Sequence, residues 1–458
     1  MARPFLELDL VAHDSLASPP MWTLCRALLL LALLPLPALA DDTPVVLEAA
    51  RLFDVKTGKV VSPGVLVVRG GKIEAVGPGA SRPANARVLQ LGDATLLPGL
   101  IDAHVHLDNE RTDDYRQDQL DAMKKPVPQL AIEAYEHARR TLLAGFTTVR
   151  NLGSAHVIDV GVRDAIRSGT VQGPRILASS AALGATGGHC DTHGFREGVL
   201  SEERGGGVAD GPEALRAMVR RTVKYGADVI KACVTGGVLS EGDEVDVPQL
   251  TQAEMDALVD EAHALRKKVA VHAHGATGAK RAIRAGADSI EHGTFLDDEA
   301  FALMKARGTV LIPTPLNQRI YDEQKARGAK FHPRVWEKIE IARGARRASV
   351  RKALEHGVRI GFGTDAGVIP HGRNAEQLGI LVEYGMKPVD VLLAATSLNA
   401  EVLGLSGQLG TLEPGKLADV IAVPGDPTRD VRVTERVFFV MKEGEVVRHA
   451  PPQEAPRR

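Results

Sequence analysis

The stretch Pro98-Gly99-Leu100-Ile101-Asp102-Ala103-His104-Val105-His106 joins an apolar segment to two closely spaced histidines. The apolar residues, preceded by a Pro-Gly pair, predict a short buried strand. Residues two apart in a strand lie on one face, so His104 and His106 project to the same side. If this strand belongs to an α/β barrel, that face is the interior, and active sites of such barrels lie at the carboxyl ends of the strands.

The same alternation of strand and helix repeats along the middle of the chain. Eight apolar segments favour strands: Leu100–His106, Thr147–Leu152, Arg175–Leu183, Ala227–Thr235, Lys268–His274, Ser289–Thr294, Val310–Pro315 and Arg359–Asp365. Helical segments lie between them, for example Ala214–Tyr225, Glu254–Arg266, Gly278–Ala285, Asp298–Ala306 and Arg346–His356. This order predicts an α/β protein with a (β/α)8 TIM barrel over residues 99–410. An open doubly wound sheet is the alternative, but no Gly-x-Gly-x-x-Gly motif follows the first barrel strand.

Short strands and glycine-rich turns characterise both ends of the chain outside the barrel. Alternating apolar residues and glycine turns over residues 44–79 predict a small antiparallel sheet. Residues 418–440 show the same pattern. Because chain ends often lie close together, we predict that residues 41–98 and 411–449 form one β-sandwich domain. Residues 450–458 are then a tail.

The N-terminus resembles an export signal. Residues 27–36 are almost entirely apolar, Arg26 precedes them, and Ala38-Leu39-Ala40 follows as a cleavage site. The run is about half the ~20 residues that a membrane-spanning helix needs. Because acidic residues precede Met21, we expect translation to begin there and residues 1–40 to be an extension plus signal peptide. The mature protein would be periplasmic or secreted, without a membrane anchor. A buried N-terminal helix is the alternative.

The composition is that of a soluble globular protein, with 44% hydrophobic and 25% charged residues. The 56 basic and 58 acidic residues give a net charge of -2, which argues against a nucleic-acid partner. Three cysteines exclude a disulfide scaffold. Cys190 and Cys233 could pair in an oxidising compartment, although nothing in the sequence requires it.

Further residues able to bind metal lie at the carboxyl ends of other predicted barrel strands, and they are Lys231, His272, His274, His292 and Asp365. Singly, each has a structural explanation: a hydrogen-bonded histidine, an ion-paired lysine, a helix-capping aspartate. Together with His104 and His106 they should converge at one mouth, and histidine and carboxylate suit Zn²⁺. A buried lysine among cations should lose its proton. Its neutral amine can then add CO₂ to form a carbamate, which is a carboxylate able to bridge two metals.

Five motifs resemble, in order and context, those of the amidohydrolase superfamily: Gly99–His106, Ile230-Lys231, His272–Gly275, Glu291-His292-Gly293 and Gly363–Ala366. The resemblance is to the branch with two metals and a carboxylated lysine, and it covers the whole mature chain. Within that branch the chain is similar to the imidazolonepropionase-like group, which includes Xaa-Pro dipeptidases, metal carboxypeptidases and ochratoxin-type amide hydrolases. Cys190, and Asn151 after Arg150, depart from the pattern of this group.

The resemblance implies two divalent ions, with zinc expected, and metal-assisted hydrolysis. It assigns the more buried ion to His104, His106 and Asp365. The other ion would be held by His272 and His292, with Lys231 bridging as a carbamate. A water shared by the two ions would attack the carbonyl, and Asp365 would carry its proton to the leaving amine.

The implied substrate is an amide or peptide bond to an amino acid, as in a dipeptide, an N-acyl amino acid or an ochratoxin-like amide. Its carboxylate needs a donor, and the candidates are Arg150, His189, Tyr225, His274 and His371. Hydrolysis of a cyclic amide, lactone or ester is an alternative, because the same metals can attack those bonds. A metal-free binding protein on this fold is disfavoured by the complete ligand set. We also expect a homo-oligomer.

Overall fold

The computed structural model describes residues 43–196 and 206–451. The extension and signal peptide expected at residues 1–40, and most of the tail expected at 450–458, lie outside the described residues. Within the described part of the chain, no helix is long and apolar enough to cross a membrane.

The structure alternates strands and helices through its middle and has strands at both ends. The strands are β1 (Val45–Ala49), β2 (Arg51–Asp54), β3 (Lys59–Val61), β4 (Gly64–Arg69), β5 (Lys72–Val76), β6 (Arg87–Gln90), β7 (Ala94–Pro98), β8 (Leu100–Val105), β9 (Phe146–Asn151), β10 (Arg175–Ala178), β11 (Ala182–Leu183), β12 (Val229–Cys233), β13 (Lys268–Gly275), β14 (Ser289–Phe295), β15 (Val310–Ile312), β16 (Val420–Pro424), β17 (Phe439–Lys442) and β18 (Glu445–His449). The α-helices are α1 (Tyr115–Lys124), α2 (Val127–Leu143), α3 (Ile158–Arg167), α4 (Pro212–Lys224), α5 (Gln252–Ala264), α6 (Ala276–Ala285), α7 (Asp298–Arg307), α8 (Leu316–Ala326), α9 (Pro333–His356), α10 (Glu376–Glu383), α11 (Pro388–Leu393) and α12 (Asn399–Val402).

The barrel consists of two parallel sheets, one of three strands in the order β10-β9-β8 and one of five in the order β11-β12-β13-β14-β15. The segment predicted as the third barrel strand, Arg175–Leu183, contains both β10 and β11 and connects the two sheets at one edge. Its first part, β10, pairs with β9, and its second part, β11, pairs with β12. At the other edge, residues 359–366 connect β15 to β8. There the amide of Leu311 donates to the carbonyl of Arg359, and the amide of His106 donates to the carbonyl of Ala366. The expected TIM barrel is confirmed.

The eighth barrel segment differs from the regular strand that was predicted for Arg359–Asp365. It forms isolated bridges, Leu311 to Ile360 and Val105 to Ala366, instead of a continuous ladder. The backbone of Asp365 has a φ of +62°, which is outside the strand region. The segment therefore turns its last residue away from strand geometry at the barrel mouth.

The barrel strands are buried even where they carry polar residues, as β9 does at Thr147, Thr148, Arg150 and Asn151. Every residue of β8, β9 and β12 is buried, as expected for parallel strands covered by helices. Helix α2 buries Leu130, Ala134, Ala138 and Leu142 at intervals of four residues, so one apolar stripe faces the sheet.

Outside the barrel, strands from both ends of the chain form two further sheets. A four-stranded sheet has the order β5-β4-β1-β6, and a six-stranded sheet has the order β18-β17-β16-β7-β2-β3. Strand β16 pairs antiparallel with β7, with Ile421 opposite Leu97. The two sheets share a core that includes Leu47, Leu96 and Phe439. Strand β7 leads through Gly99 into β8, which brings this core next to the first barrel strand.

Candidate active site

Two groups of three potential metal ligands meet at the carboxyl ends of the barrel strands. One group is His104, His106 and Asp365, and the other is His272, His274 and His292. Within each group the candidate ligand atoms lie within 4.8 Å of one another. The ring centroids of His104 and His292 are 5.0 Å apart, so the two groups are adjacent.

Hydrogen bonds to the backbone and to a carboxylate orient two of these rings. Nδ1 of His104 donates to Oε2 of Glu291 at 2.8 Å, and Nε2 of His272 donates to the carbonyl of Gly236 at 3.1 Å. A partner on one ring nitrogen leaves the other free and sets the direction in which it points. The free nitrogens are therefore Nε2 of His104 and Nδ1 of His272.

Threonine hydroxyls orient two more rings. Nδ1 of His274 is hydrogen-bonded to Oγ1 of Thr294 at 2.8 Å, and Nδ1 of His292 is hydrogen-bonded to Oγ1 of Thr314 at 2.8 Å. Their Nε2 atoms remain available. All four oriented histidines thus present one unshared nitrogen, which suits coordination of a divalent cation.

Burial keeps these histidines neutral. It is the main cause that lowers the pKa of His104 to about 4. Burial also lowers the pKa values of His272, His274 and His292 well below the ordinary range, and neighbouring basic side chains, foremost Arg346 for His274, add to it. Neutral imidazole is the form that binds metal.

Asp365 combines an ionised carboxylate with an unusual backbone. Burial alone would raise its pKa, but the hydrogen bonds with His106 and Asn317 help to hold it well below the usual range. Its Oδ1 lies 3.2 Å from Nε2 of His106, and Nδ2 of Asn317 donates to Oδ2 at 2.8 Å. Left-handed backbone at a residue other than glycine costs of order 1–3 kcal/mol and is common at functional sites.

Lys231 lies on β12, beside the histidines, and lines the same cavity. Burial lowers the pKa of its amine to about 8, although attraction to Glu291 and Asp365 opposes that shift. A sizeable neutral fraction of the amine is therefore present near neutral pH. A neutral amine is the form that can react with CO₂.

Glu291 connects the site to the barrel interior. Glu291 is fully buried. Its carboxylate accepts hydrogen bonds from Nη2 of Arg150 at 2.8 Å and from the Ser289 hydroxyl at 2.6 Å. It also accepts the hydrogen bond from Nδ1 of His104. Burial would raise its pKa, yet the charges of Arg150 and His104 lower it to about 2. The sequence analysis assigned Glu291 no role, although its position directly before His292 in the Glu-His-Gly motif was a usable signal.

A cavity of about 740 Å³ opens above the two ligand groups. The histidines, Asp365 and Lys231 are part of its wall. This cavity lies at the carboxyl ends of the barrel strands, where active sites of this fold are found. Residues 95–448 match the family described as the Amidohydrolase family.

The chain belongs to the amidohydrolase family. It is 30% identical to an ochratoxinase from Aspergillus niger over 432 residues, which cover 89% of this chain and 88% of that protein. Among solved structures, it is similar to a Xaa-Pro dipeptidase with methionine bound in its active site, with 40% identity and a TM-score of 0.83. That likeness covers 89% of this chain and 100% of the dipeptidase. A prolidase complexed with N-methylphosphonate-L-proline is 31% identical, with a TM-score of 0.81 over 89% of this chain and 100% of its own.

Two of the predicted substrate contacts of this amidohydrolase, His189 and His274, line the cavity. The ring of His189 stacks on His272 with centroids 4.2 Å apart, and its Nδ1 lies 2.9 Å from the Ser240 hydroxyl. Gly237 makes room for the ring, because a Cβ there would lie 2.0 Å from Nδ1 of His189. Burial lowers the pKa of His189 to about 4, so the ring is neutral near pH 7.

The other three predicted substrate contacts, Arg150, His371 and Tyr225, lie outside the lining of this cavity. Arg150 is buried and bonds Glu291 and the carbonyl of Ala103 instead. The Nε2 atom of His371 is directed at the backbone carbonyls of His106 and Asn109, 3.2 Å from each. Tyr225 is 51% exposed and ends helix α4 before β12 begins, on the side opposite the mouth.

Cys190 and Cys233 form a disulfide with their Cα atoms 5.8 Å apart. Cys233 ends β12, two residues after Lys231, and Cys190 follows His189. The disulfide therefore connects the His189 loop to the strand that carries the lysine.

Sequence reasoning missed two cavity residues, Asn317 and Arg346. Asn317 follows the β15 segment on α8 and bonds Asp365. Arg346 lies among the buried residues of α9, with Ile339, Ala342 and Ala353. Its position on that apolar stripe was the available signal, since an arginine there must be buried with the stripe.

Proposed function

We propose that this amidohydrolase cleaves an amide or peptide bond to an amino acid with the aid of two divalent metal ions, with zinc expected. The adjacency of the two ligand groups beside a buried lysine, in one cavity, carries this proposal. Dipeptides, N-acyl amino acids and ochratoxin-like amides are the proposed substrates. The similarity to an ochratoxinase and to a Xaa-Pro dipeptidase supports this substrate class.

The residues present fit a metal pair. His104, His106 and Asp365 would hold one ion, and His272 and His292 the other, since each oriented histidine offers an unshared nitrogen. We propose that Lys231 bridges them as a carbamate, because its amine is buried and partly neutral. When bound, the ions supply Lewis acidity, which lowers the pKa of water and polarises a carbonyl.

The protein's own groups then handle the proton and the substrate. Asp365 is ionised, so it accepts a proton from the attacking water and passes it to the leaving amine. Asn317 holds the second carboxylate oxygen and limits rotation of the carboxyl group. His274 and His189 contact the substrate from the cavity wall.

The Asp365→Asn variant tests this proposal. Asparagine keeps the size and part of the ligand character but cannot accept the proton. Loss of a general base typically costs about 10²–10⁴ in rate, so kcat should fall by at least about a hundredfold. Metal content and Tm should stay close to those of the wild type.

Asp297→Asn is the matched control, because Asp297 caps helix α7 by accepting from the amide of Ala300. Asparagine caps a helix about as well as aspartate, so this change should cost less than about 1 kcal/mol of stability and leave kcat unchanged. An Asp365→Asn enzyme that holds two metals and turns over like the wild type would refute the proposal.

We also propose that the protein is exported, since a disulfide between Cys190 and Cys233 persists in an oxidising compartment. The mature N-terminus from the native host should follow Ala40. An N-terminus upstream of Met21 would contradict this start site. The homo-oligomer stays a prediction.

A further inference from the structure

Arg346 is a buried cation in the cavity wall that lacks a carboxylate partner among the described residues. Its side chain is only 6% exposed and lines the cavity. Two other buried cations have such partners: Arg150 contacts Glu291 at 2.8 Å, and Lys338 contacts Asp243 at 3.0 Å. Burying a charge without a counter-charge is costly, so the Arg346 site favours an incoming anion.

The contacts of Arg346 hold its guanidinium and leave most of its donors unused. Nη1 donates to Oε1 of Gln318 at 2.6 Å, and the guanidinium carbon lies 5.9 Å from the ring centroid of Tyr321. A guanidinium has five N–H donors in a fixed planar fork, which matches the two oxygens of a carboxylate. Gln318 is a neutral acceptor, so this contact leaves the positive charge uncompensated.

Helix α8 connects Arg346 to the reacting groups. Gln318, which accepts from Arg346, directly follows Asn317, which donates to Asp365 at 2.8 Å. Asp365 attracts the guanidinium electrostatically, and both residues line the same cavity. A substrate held there by its anionic end would keep its neighbouring amide bond close to Asp365.

We propose that Arg346 binds the α-carboxylate of the amino acid on the leaving side of the scissile bond and so selects substrates with a free carboxyl terminus. This inference rests on the proposed amide hydrolase function. His189 and His274 each already use Nδ1 in a hydrogen bond, to Ser240 and to Thr294, so neither ring offers the paired donors that a guanidinium presents to a carboxylate. Arg346 acts as a binding and specificity residue, and it takes no part in proton transfer.

The test compares a dipeptide with its C-terminal carboxamide. From a panel of Ala-Xaa dipeptides, the one hydrolysed fastest is chosen, and kcat/KM is measured for it and for its amide. Losing one partner of a buried charge pair costs roughly 30-fold to several thousand-fold in binding. The wild type should prefer the acid by about 100-fold, and Arg346→Met should reduce this preference to about threefold or less, mainly through KM. Activity on the carboxamide should change little.

Three further variants separate the effect of Arg346 from a general loss of charge, from misfolding and from the effect of another arginine. Arg347→Met is the matched control, because Arg347 is the exposed neighbour on α9 and bonds the carbonyl of Glu383. Gln318→Glu places a carboxylate against Arg346, so it should abolish the preference even if Arg346→Met does not fold. Arg111→Met tests the second arginine of the cavity wall. If Arg111→Met removes the preference and Arg346→Met does not, the proposal is overturned.

Calorimetry with the free amino acid of that dipeptide and with its amide separates this inference from the function on which it rests. Amino acid binding that requires Arg346, in an enzyme that hydrolyses neither substrate, would refute amide hydrolysis and support the anion site. Equal hydrolysis of acid and carboxamide by the wild type and by Arg346→Met would overturn the anion site and leave amide hydrolysis intact.

Discussion

Replacing Arg150 with methionine should destabilise the protein without weakening substrate binding. Arg150 is 1% exposed, and its guanidinium bonds Glu291 at 2.8 Å, the carbonyl of Ala103 at 2.6 Å and the Ser289 hydroxyl at 3.1 Å. Methionine fills a similar volume but leaves the Glu291 carboxylate buried without its counter-charge. Breaking a buried ion pair in this way costs about 3–5 kcal/mol of unfolding free energy.

The assay is urea unfolding of the metal-loaded, oxidised protein, followed by far-ultraviolet circular dichroism, with refolding checked. With an m-value of about 3 kcal/mol per molar urea, the expected loss lowers the midpoint by roughly 1–1.7 M. Arg167→Met is the control, because Arg167 pairs with Asp164 on the surface at 2.8 Å. Exposed pairs contribute about 0–1 kcal/mol, so its midpoint should barely move.

The double variant Arg150→Met with Glu291→Gln provides an internal check. In the double variant no unpaired carboxylate is left buried. Its loss of unfolding free energy should therefore be smaller than the sum of the losses of the two single variants. KM of the folded Arg150→Met enzyme should stay within about threefold of the wild type, because Arg150 does not reach the cavity. A midpoint that stays constant while KM rises about thirtyfold or more would show that Arg150 contacts the substrate, and would refute the reasoning.

Three other expectations follow from the same contacts. Lys231→Ala should lose metal, by elemental analysis, together with activity, and short carboxylic acids should partly restore both; full activity without additives would exclude the carbamate. His274→Ala should keep its metal and mainly raise KM or lower kcat, whereas His272→Ala should lose metal; the opposite pattern would reverse the two roles. Burial lowers the pKa of His371 to about 3, below its unfolded value, so the stability of the neutral form is complete above pH 6.5 and is lost as the pH falls towards 3. Unfolding free energy should therefore fall by up to about 1.4 kcal/mol per pH unit for this residue in that window. In His371→Gln this part of the slope should be absent, and urea midpoints measured from pH 7 to 4 that fall as steeply as in the wild type would contradict the argument.

The parts of the site that follow strand periodicity could be predicted from the sequence. His104 and His106, like His272 and His274, are two residues apart, and the alternation of a strand alone places each pair on one face. The order of strands and helices then predicts that these faces meet, because a parallel barrel brings all strand ends to one mouth. No contact between distant residues was needed for either step.

The identity of charge partners depended on the tertiary structure. Arg150 and Arg346 are both arginines in segments with apolar neighbours, and only Arg150 was among the five candidate substrate contacts named from the sequence. The fold places Glu291, 141 residues away along the chain, against Arg150, whereas no carboxylate of the described residues is in ion-pair contact with Arg346. The pairing of Cys190 with Cys233, 43 residues apart along the chain, likewise depended on the tertiary structure.

By itself, the sequence determined the barrel and the direction of its strand-end histidines, because backbone periodicity is local and each residue's face follows from its neighbours. The tertiary structure alone decided which buried cation is neutralised, which ring nitrogen is free, and that the segment carrying Asp365 leaves strand geometry with a φ of +62°. These features depend on groups that distant segments bring within a few ångströms. Electrostatic and hydrogen-bond energies change steeply over that distance, so a local pattern does not encode them.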